Sequence, residues 1–127
     1  MPLDLRDNSL HGSIPNPFGQ LKDIQYLNLD ENNLLGEIPG WITQIYLVVL
    51  ELYSNAFTGK NPAKLTILKQ LTHLRIDNNK LTGQVPQGFS LLSGLSVFSV
   101  SYNNLFGKLP IFSNNKIFVI VWLEISF

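Results

Sequence analysis

Two histidines, His11 and His73, are the side chains of this 127-residue chain that most readily act as a general base. A nucleophilic reaction would need His73 to meet a hydroxyl such as Ser99 and an acid such as Glu51, and their spacing does not favour that arrangement. The sequence also contains no Gly-rich phosphate loop, no kinase motif and no zinc-site spacing. We therefore predict that the chain is not an enzyme.

Metal and cofactor chemistry has equally little support. The chain has no cysteine, which excludes disulfides and thiolate metal sites. Neighbouring carboxylates could hold a hard cation such as Ca²⁺, but no ligand loop accompanies them. The formal net charge is zero, so the composition gives no reason to expect nucleic acid or an anionic membrane as a partner. We predict no cofactor, no metal ion and no nucleic-acid partner.

A repeated motif must position the polar side chains. The motif Leu-x-Leu-x-x-Asn-x-Leu, with conservative replacements, occurs five times and each copy ends at a proline. The copies begin at Leu3, Leu27, Leu50, Leu74 and Phe98. The prolines are separated by 24, 23, 24 and 24 residues, a period typical of a leucine-rich repeat. Such repeats stack on their neighbours, so we expect a solenoid with a continuous core.

Each position of the motif has a physical role. The two apolar residues of Leu-x-Leu point to the same side of a strand and must be buried. The asparagine after the strand can satisfy backbone groups that the turning chain leaves unpaired. We assign a structural role to all five, because a catalytic residue would not recur in every copy; they are Asn8, Asn32, Asn55, Asn79 and Asn103. After each proline, apolar residues at every third position favour a 3₁₀-like segment.

These patterns predict an α/β-type solenoid, mostly β, with a concave parallel sheet and a convex side of 3₁₀ or irregular segments. The five repeats are predicted at residues 1–24, 25–47, 48–71, 72–95 and from 96 to 110 onward. The second repeat is one residue short around Ile45, which predicts an irregularity on its outer side. Residues 111–127 are either an apolar tail or a truncated sixth repeat, since Ile117, Ile120, Leu123 and Ile125 have the spacing that precedes each strand.

The segments Leu10–Pro15, Leu34–Pro39 and Leu81–Pro86 carry Leu-x-Gly followed by Ile-Pro or Val-Pro. Through them, residues 2 to about 110 resemble the plant-type leucine-rich repeat family. That family includes ectodomains of receptor-like proteins and receptor-like kinases, and secreted polygalacturonase inhibitors. The resemblance implies a right-handed solenoid with extra short strands near Leu-x-Gly, and an extracellular or plasma-membrane location. The sequence shows no signal peptide, no membrane-spanning stretch and no Cys-bearing cap, so we expect a piece of a longer ectodomain.

Residues that alternate with the buried leucines should face the concave side, with equivalent positions about 4.8 Å apart. One column contains Asp4, Asn28, Glu51, Arg75 and Ser99, and the next contains Arg6, Asp30, Tyr53, Asp77 and Ser101. The flanking columns contain Pro2, Tyr26, Val49, His73 and Val97, and Asp7, Glu31, Ser54, Asn78 and Tyr102. Acidic residues outnumber the two arginines on this face, and every lysine lies elsewhere.

An acidic face with interspersed tyrosines suits a basic or extended peptide. We predict that ligand contacts come from Tyr26, Asn28, Asp30, Glu31, Glu51, Tyr53, His73, Arg75, Asp77 and Tyr102. The expected partner is a peptide or protein with basic groups, and the resemblance adds a co-receptor. Three alternatives stay open: a secreted inhibitor of a pathogen enzyme, a fragment with no independent function, and a solvated strand face that binds nothing.

Overall fold

The structure is a computed structural model that describes residues 2–15, 22–60 and 62–112, together with the backbone of Phe118–Val119. Its main element is a parallel sheet in which each of the five repeats contributes one strand and Phe118–Val119 adds a sixth. In spatial order the strands are β1 (Pro2–Asp4), β3 (Tyr26–Asn28), β5 (Val49–Glu51), β7 (His73–Arg75), β9 (Val97–Ser99) and β11 (Phe118–Val119). We call this the concave sheet.

The register of the concave sheet aligns the repeated motif without offset. Leu27 lies opposite Leu50, which lies opposite Leu74, and Phe98 follows in the same row. These side chains are fully buried, as the period of two along a strand requires when one face meets a core. The predicted solenoid with its parallel sheet is therefore confirmed.

Short outer strands near Leu-x-Gly, which the family resemblance implied, are also present. One outer sheet contains β2 (His11–Gly12), β4 (Asn33–Glu37) and β6 (Ala56–Thr58), and another contains β8 (Thr82–Gln84) and β10 (Asn104–Phe106). A single bridge from Lys60 to Thr82 connects the two. In the third copy of the motif, Asn61 stands before the proline where three other copies have Ile or Val, and it lies outside the described residues.

On the convex side, the described residues form 3₁₀ helices at Gly40–Gln44, Ala63–Ile67 and Gln87–Leu91. Each begins directly after a proline, whose fixed φ and missing N–H suit the start of a helix. Each also buries one residue of the apolar stripe: Ile42, Leu65 and Phe89. The predicted 3₁₀ convex side is thus confirmed, while Phe18 and Leu21 of the first repeat lie outside the described residues.

The short second repeat absorbs its missing residue just before strand β5. The Leu47 N–H donates to the Ile45 carbonyl, two residues back, at 3.1 Å. At the equivalent place in the next two repeats, the N–H groups of Leu71 and Leu95 donate three residues back, at 3.1 and 3.0 Å. Ile45 is correspondingly extended, with φ −112° and ψ 159°. The expected irregularity is therefore a tighter turn that keeps the next strand in register.

The asparagines that follow the strands form a ladder, which consists of Asn8, Asn32, Asn55, Asn79 and Asn103. Asn55 is representative: its Oδ1 accepts the Leu34 N–H at 3.1 Å, and its Nδ2 donates to the Leu29 carbonyl at 2.8 Å. Both of those groups belong to the preceding repeat. Asn79 and Asn103 repeat the arrangement with the N–H groups of Phe57 and Leu81. The asparagine ladder therefore joins successive repeats through their backbones.

The residue before each ladder asparagine has a left-handed backbone. These residues are Asp7, Glu31, Ser54, Asn78 and Tyr102, with φ between 54° and 59°. None is glycine, so each carries a conformational cost that the surrounding hydrogen bonds must offset. Each of them lies three residues after the last residue of its strand, so the regular alternation of the concave sheet does not extend to it.

The end of the chain is described only by the backbone of β11, which pairs with Val97 and Phe98 of β9. The residues that define the proposed sixth repeat, Ile117, Ile120, Leu123 and Ile125, lie outside the described residues. The choice between an apolar tail and a sixth repeat therefore stays a prediction. Within the described residues, no helix has the length and apolar character that crossing a membrane requires.

Candidate functional site

Strands β5, β7 and β9 bring Glu51, Arg75 and Ser99 into one row of the concave sheet. Asp77 lies two residues beyond Arg75, past the end of β7. Tyr53 has the same relation to Glu51 on the neighbouring strand. Because alternate residues point to the same face, these side chains share the face opposite the leucine core.

Arg75 is the centre of this group. Its Nε lies 3.9 Å from Glu51 Oε2, and its Nη2 lies 3.5 Å from Asp77 Oδ2. Its Cζ lies 4.6 Å from the centroid of the Tyr53 ring, within cation–π range. We call Glu51, Tyr53, Arg75, Asp77 and the nearby Asp30 the Arg75 cluster.

Asp30 and Asn28 are used mainly inside the protein. The Tyr53 N–H donates to Asp30 Oδ1 at 2.7 Å, and the Asp30 N–H donates to Asn28 Oδ1 at 2.9 Å. Asn28 in turn donates from Nδ2 to the Tyr26 hydroxyl at 3.3 Å. Only 7% of Asp30 and 3% of Asn28 is exposed, so neither side chain is freely available to a ligand.

Burial changes the protonation of the cluster. It raises the pKa of Glu51 to about 7, with further contributions from Asp30 and Asp77, against the opposing charge of Arg75. Burial also raises the pKa of Asp30, although the Tyr53 N–H and Arg75 oppose the shift. Glu51 therefore holds a proton at a higher pH than an ordinary glutamate does. The cluster is less negative than its formal charges indicate.

Three buried polar atoms of the cluster make no hydrogen bond within the described structure: Glu51 Oε2, Arg75 Nε and Asp77 Oδ1. The same is true of Oγ of Ser99, beside the cluster on the next strand. Buried polar atoms are normally paired, so a concentration of unpaired ones indicates unused binding capacity. Ser99 is 1% exposed and adjoins Arg75 in register. The sequence placed Ser99 on this face, but it gave no sign that its hydroxyl would lack a partner.

The remaining predicted contacts lie around the cluster. Glu31 and Tyr102 are exposed and occupy the left-handed positions after the strands. His73 Nδ1 lies 2.8 Å from Thr72 Oγ1, a partner that the repeat pattern does not predict. No hydrogen bond links His73 to Ser99 in the described structure. Among the described residues, no group of three His, Cys, Asp or Glu is arranged to hold a metal ion.

A solenoid of this kind, with a recurring asparagine and a parallel sheet, defines the class of protein. The sequence pattern of the leucine-rich repeat family matches residues 3–21, 23–45 and 70–92, just over half of the chain. The chain belongs to the leucine-rich repeat family.

Similar proteins come from plants. The leucine-rich repeat receptor protein kinase MSL1 of Oryza sativa subsp. japonica is 44% identical over 63 residues, which is 50% of this chain and 4% of that protein. The ectodomain of the Arabidopsis thaliana receptor kinase SOBIR1 is 32% identical with a TM-score of 0.82, covering 94% of this chain and 68% of that one. Arabidopsis HAESA, solved with the peptide hormone IDA and the co-receptor SERK1, is 32% identical with a TM-score of 0.78, covering 85% and 18%.

Proposed function

We propose that this chain is a non-enzymatic recognition segment of a plant cell-surface leucine-rich repeat receptor, and that it binds a peptide or protein through its concave face. The observation that carries the proposal is the Arg75 cluster, which gathers three carboxylates, one arginine and an aromatic ring on one surface. The opposite side differs, because the convex stretches 39–48, 62–72 and 86–96 contain no acidic residue and include Lys64 and Lys69.

This separation of charge supports a partner with basic groups. The zero net charge conceals a local negative field on the concave side, and such a field attracts cations and weakens with salt. Tyr53 and the half-buried Tyr26 offer apolar area beside the carboxylates. Aromatic residues of this kind contribute strongly to recognition surfaces.

The similar proteins support the same use of the fold. The HAESA structure contains a peptide hormone and a co-receptor bound to a solenoid that this chain superimposes on. By analogy, we propose a peptide ligand and a co-receptor for this chain, and an extracellular location. The basic character of the ligand rests on the charges of this chain alone.

The proposal can be tested with labelled peptides of equal length and similar hydrophobicity whose net charge is positive, zero or negative. Fluorescence anisotropy would give the affinity of the 127-residue chain for each, at low and at physiological salt. We expect the cationic peptide to bind best and its affinity to fall with salt. The triple variant Asp30→Asn, Glu51→Gln, Asp77→Asn should lose about tenfold in that affinity.

A matched control removes charge from the other side. The double variant Lys64→Gln, Lys69→Gln changes convex residues and should leave the charge preference intact. Equal affinity for all three peptides, or an unchanged preference in the triple variant, would show that the concave face does not select basic partners.

A further inference from the structure

We propose that the concave face contains a seat for one guanidinium group of a ligand, and that the side chain of Arg75 occupies this seat in the free protein. The inference rests on the proposed function and names the chemical group that the face recognises. It also reverses the role of Arg75, which becomes a competitor of the ligand instead of a contact to it.

The chemistry of the seat is defined by what already surrounds Arg75. The carboxylate of Glu51 faces it from the adjacent strand β5, and that of Asp77 faces it from two residues further along its own repeat. The Tyr53 ring lies under its planar group. Two carboxylates and an aromatic face suit a guanidinium better than an ammonium, because the planar group can donate sideways while it stacks.

Arg75 fills this seat poorly. Its two ion pairs measure 3.5 and 3.9 Å, whereas a charge-assisted N–H···O bond is about 2.7–2.9 Å long. Glu51 Oε2 and Asp77 Oδ1 make no hydrogen bond in the described structure, and the Asp77 side chain is only 9% exposed. The buried Ser99 hydroxyl on the next strand is unpaired as well. The seat therefore has more acceptors than its present occupant uses.

The backbone origin of Arg75 explains the poor fit. Its side chain rises from the same row of the sheet as Glu51, so it must reach sideways to Glu51 and Tyr53 in the neighbouring repeat and forward to Asp77 in its own repeat. A ligand arginine approaching from solvent has no such restriction and can present its donors directly. Arg75 is 33% exposed along its side chain, which leaves it a path into solvent when a ligand enters.

The charge of the seat depends on pH. The charges of Asp30 and Asp77 raise the pKa of Glu51, and those of Arg75 and Arg6 lower it. His73 lies on the same strand as Arg75. Since burial raises the pKa of Glu51 to about 7, the seat gains negative charge as pH rises through that value. Binding of a cation should therefore strengthen from mildly acidic to mildly alkaline pH.

The decisive experiment titrates the full chain with a capped arginine, N-acetylarginine methylamide, and follows binding by NMR of the backbone amides around Arg75. Capped citrulline, a neutral analogue of the same shape, is the ligand control. The variant Arg75→Gln should bind capped arginine about tenfold more tightly than the wild type if Arg75 fills the seat nine-tenths of the time. The affinity for capped citrulline should be the same in the wild type and in Arg75→Gln. Adding Glu51→Gln to Arg75→Gln should abolish the gain in affinity for capped arginine.

Arg6→Gln is the matched control variant, because Arg6 carries the same charge on the same face but pairs with the exposed Asp4 at 3.2 Å. If Arg6→Gln and Arg75→Gln raised the affinity for capped arginine equally, the effect would come from the overall negative charge of the face, and the proposed seat would be wrong. No gain from Arg75→Gln, or equal binding of citrulline, would also overturn it. Arg75→Lys, which keeps the charge and the solubility, should give a smaller gain than Arg75→Gln, and a larger one would contradict the seat.

The two proposals fail separately. If capped arginine shows no seat while cationic peptides still depend on the carboxylates, the proposed function stands without this inference. If Arg75→Gln gains affinity for capped arginine while peptides show no charge preference, the seat exists and the proposed recognition of basic partners is wrong.

Discussion

Replacement of the ladder asparagines by leucine should destabilise the fold in proportion to the backbone N–H groups that each side chain accepts. Leucine has nearly the same size and removes all polar contacts. Asn8 accepts no N–H group in the described structure, and its Nδ2 donates to the Leu5 and Arg6 carbonyls. Asn55 accepts one N–H group, from Leu34. Asn32 accepts two, from Asn8 at 3.0 Å and Leu10 at 2.9 Å.

The backbone carbonyl groups are less affected by these replacements, because each can accept a hydrogen bond from two successive ladder asparagines. The Leu29 carbonyl accepts from Asn32 at 3.1 Å and from Asn55 at 2.8 Å, so it keeps a partner when either is replaced. The cost therefore comes mainly from unpaired N–H groups, each worth about 1–3 kcal/mol when buried. We expect less than about 1 kcal/mol for Asn8→Leu, about 1–3 kcal/mol for Asn55→Leu and about twice that for Asn32→Leu.

Urea denaturation followed by far-UV circular dichroism gives these free energies from the midpoint and slope of each transition. Asn33→Leu is the matched control, since Asn33 is exposed and directly follows Asn32. It should change stability by no more than about 0.5 kcal/mol. Equal costs for Asn8, Asn55 and Asn32, or an effect of the control as large as that of Asn32, would show that accepted N–H groups do not determine the role of the ladder.

Three further predictions concern protonation, backbone and core. The pKa of Glu51 is raised from 4.5 to about 7, so the folded state binds a proton that the unfolded state has lost, and the free energy of unfolding should fall as pH rises between those values. Glu51→Gln should remove about 1–3 kcal/mol of this fall, measured by urea denaturation at several pH values. Gly59→Ala should cost about 1–3 kcal/mol by thermal melting, because φ is 115° and the added carbon would lie 3.2 Å from Glu37 Oε1, whereas Gly40→Ala meets nothing and should be nearly neutral. Phe98→Ala should lower the free energy of unfolding by about 3–5 kcal/mol, measured by urea denaturation, because Phe98 is fully buried and its ring centroid lies 5.0 Å from that of Phe89.

The solenoid could be predicted in detail from sequence because its information is local and repeated. Leu-x-Leu fixes which side of each strand is buried, and a near-constant period fixes the register between strands. The shortened second repeat was visible for the same reason, as a missing residue between Ile45 and Leu47. The period does not predict the left-handed backbone at residues such as Glu31 and Tyr102, because a positive φ is usually indicated by glycine and these residues are not glycine.

For the concave face, the sequence predicts which side chains occupy equivalent positions on neighbouring strands, but not how they interact. The sequence predicts Asp30 and Glu51 as acidic ligand contacts on this face, yet in the structure Asp30 accepts the Tyr53 N–H and Glu51 is largely buried. Whether a carboxylate is free depends on desolvation and on partners within a few ångströms, and a column order contains neither distance nor burial. The rotamer of Arg75, which decides what the cluster can bind, is likewise absent from the motif.

The solenoid separates the residues that hold the fold from those that can distinguish ligands. In the described structure, the side chains of the ladder asparagines form hydrogen bonds to backbone groups, which are the same in every repeat, so asparagine suits all five positions. In the row beside it, Glu51, Arg75 and Ser99 occupy equivalent positions and differ in charge and size. A substitution in that row leaves the backbone pairing intact, because the side chains point away from the core. Charge in that row can therefore change with little cost to folding, provided that a buried carboxylate such as Glu51 keeps a cation within reach, whether from Arg75 or from a ligand.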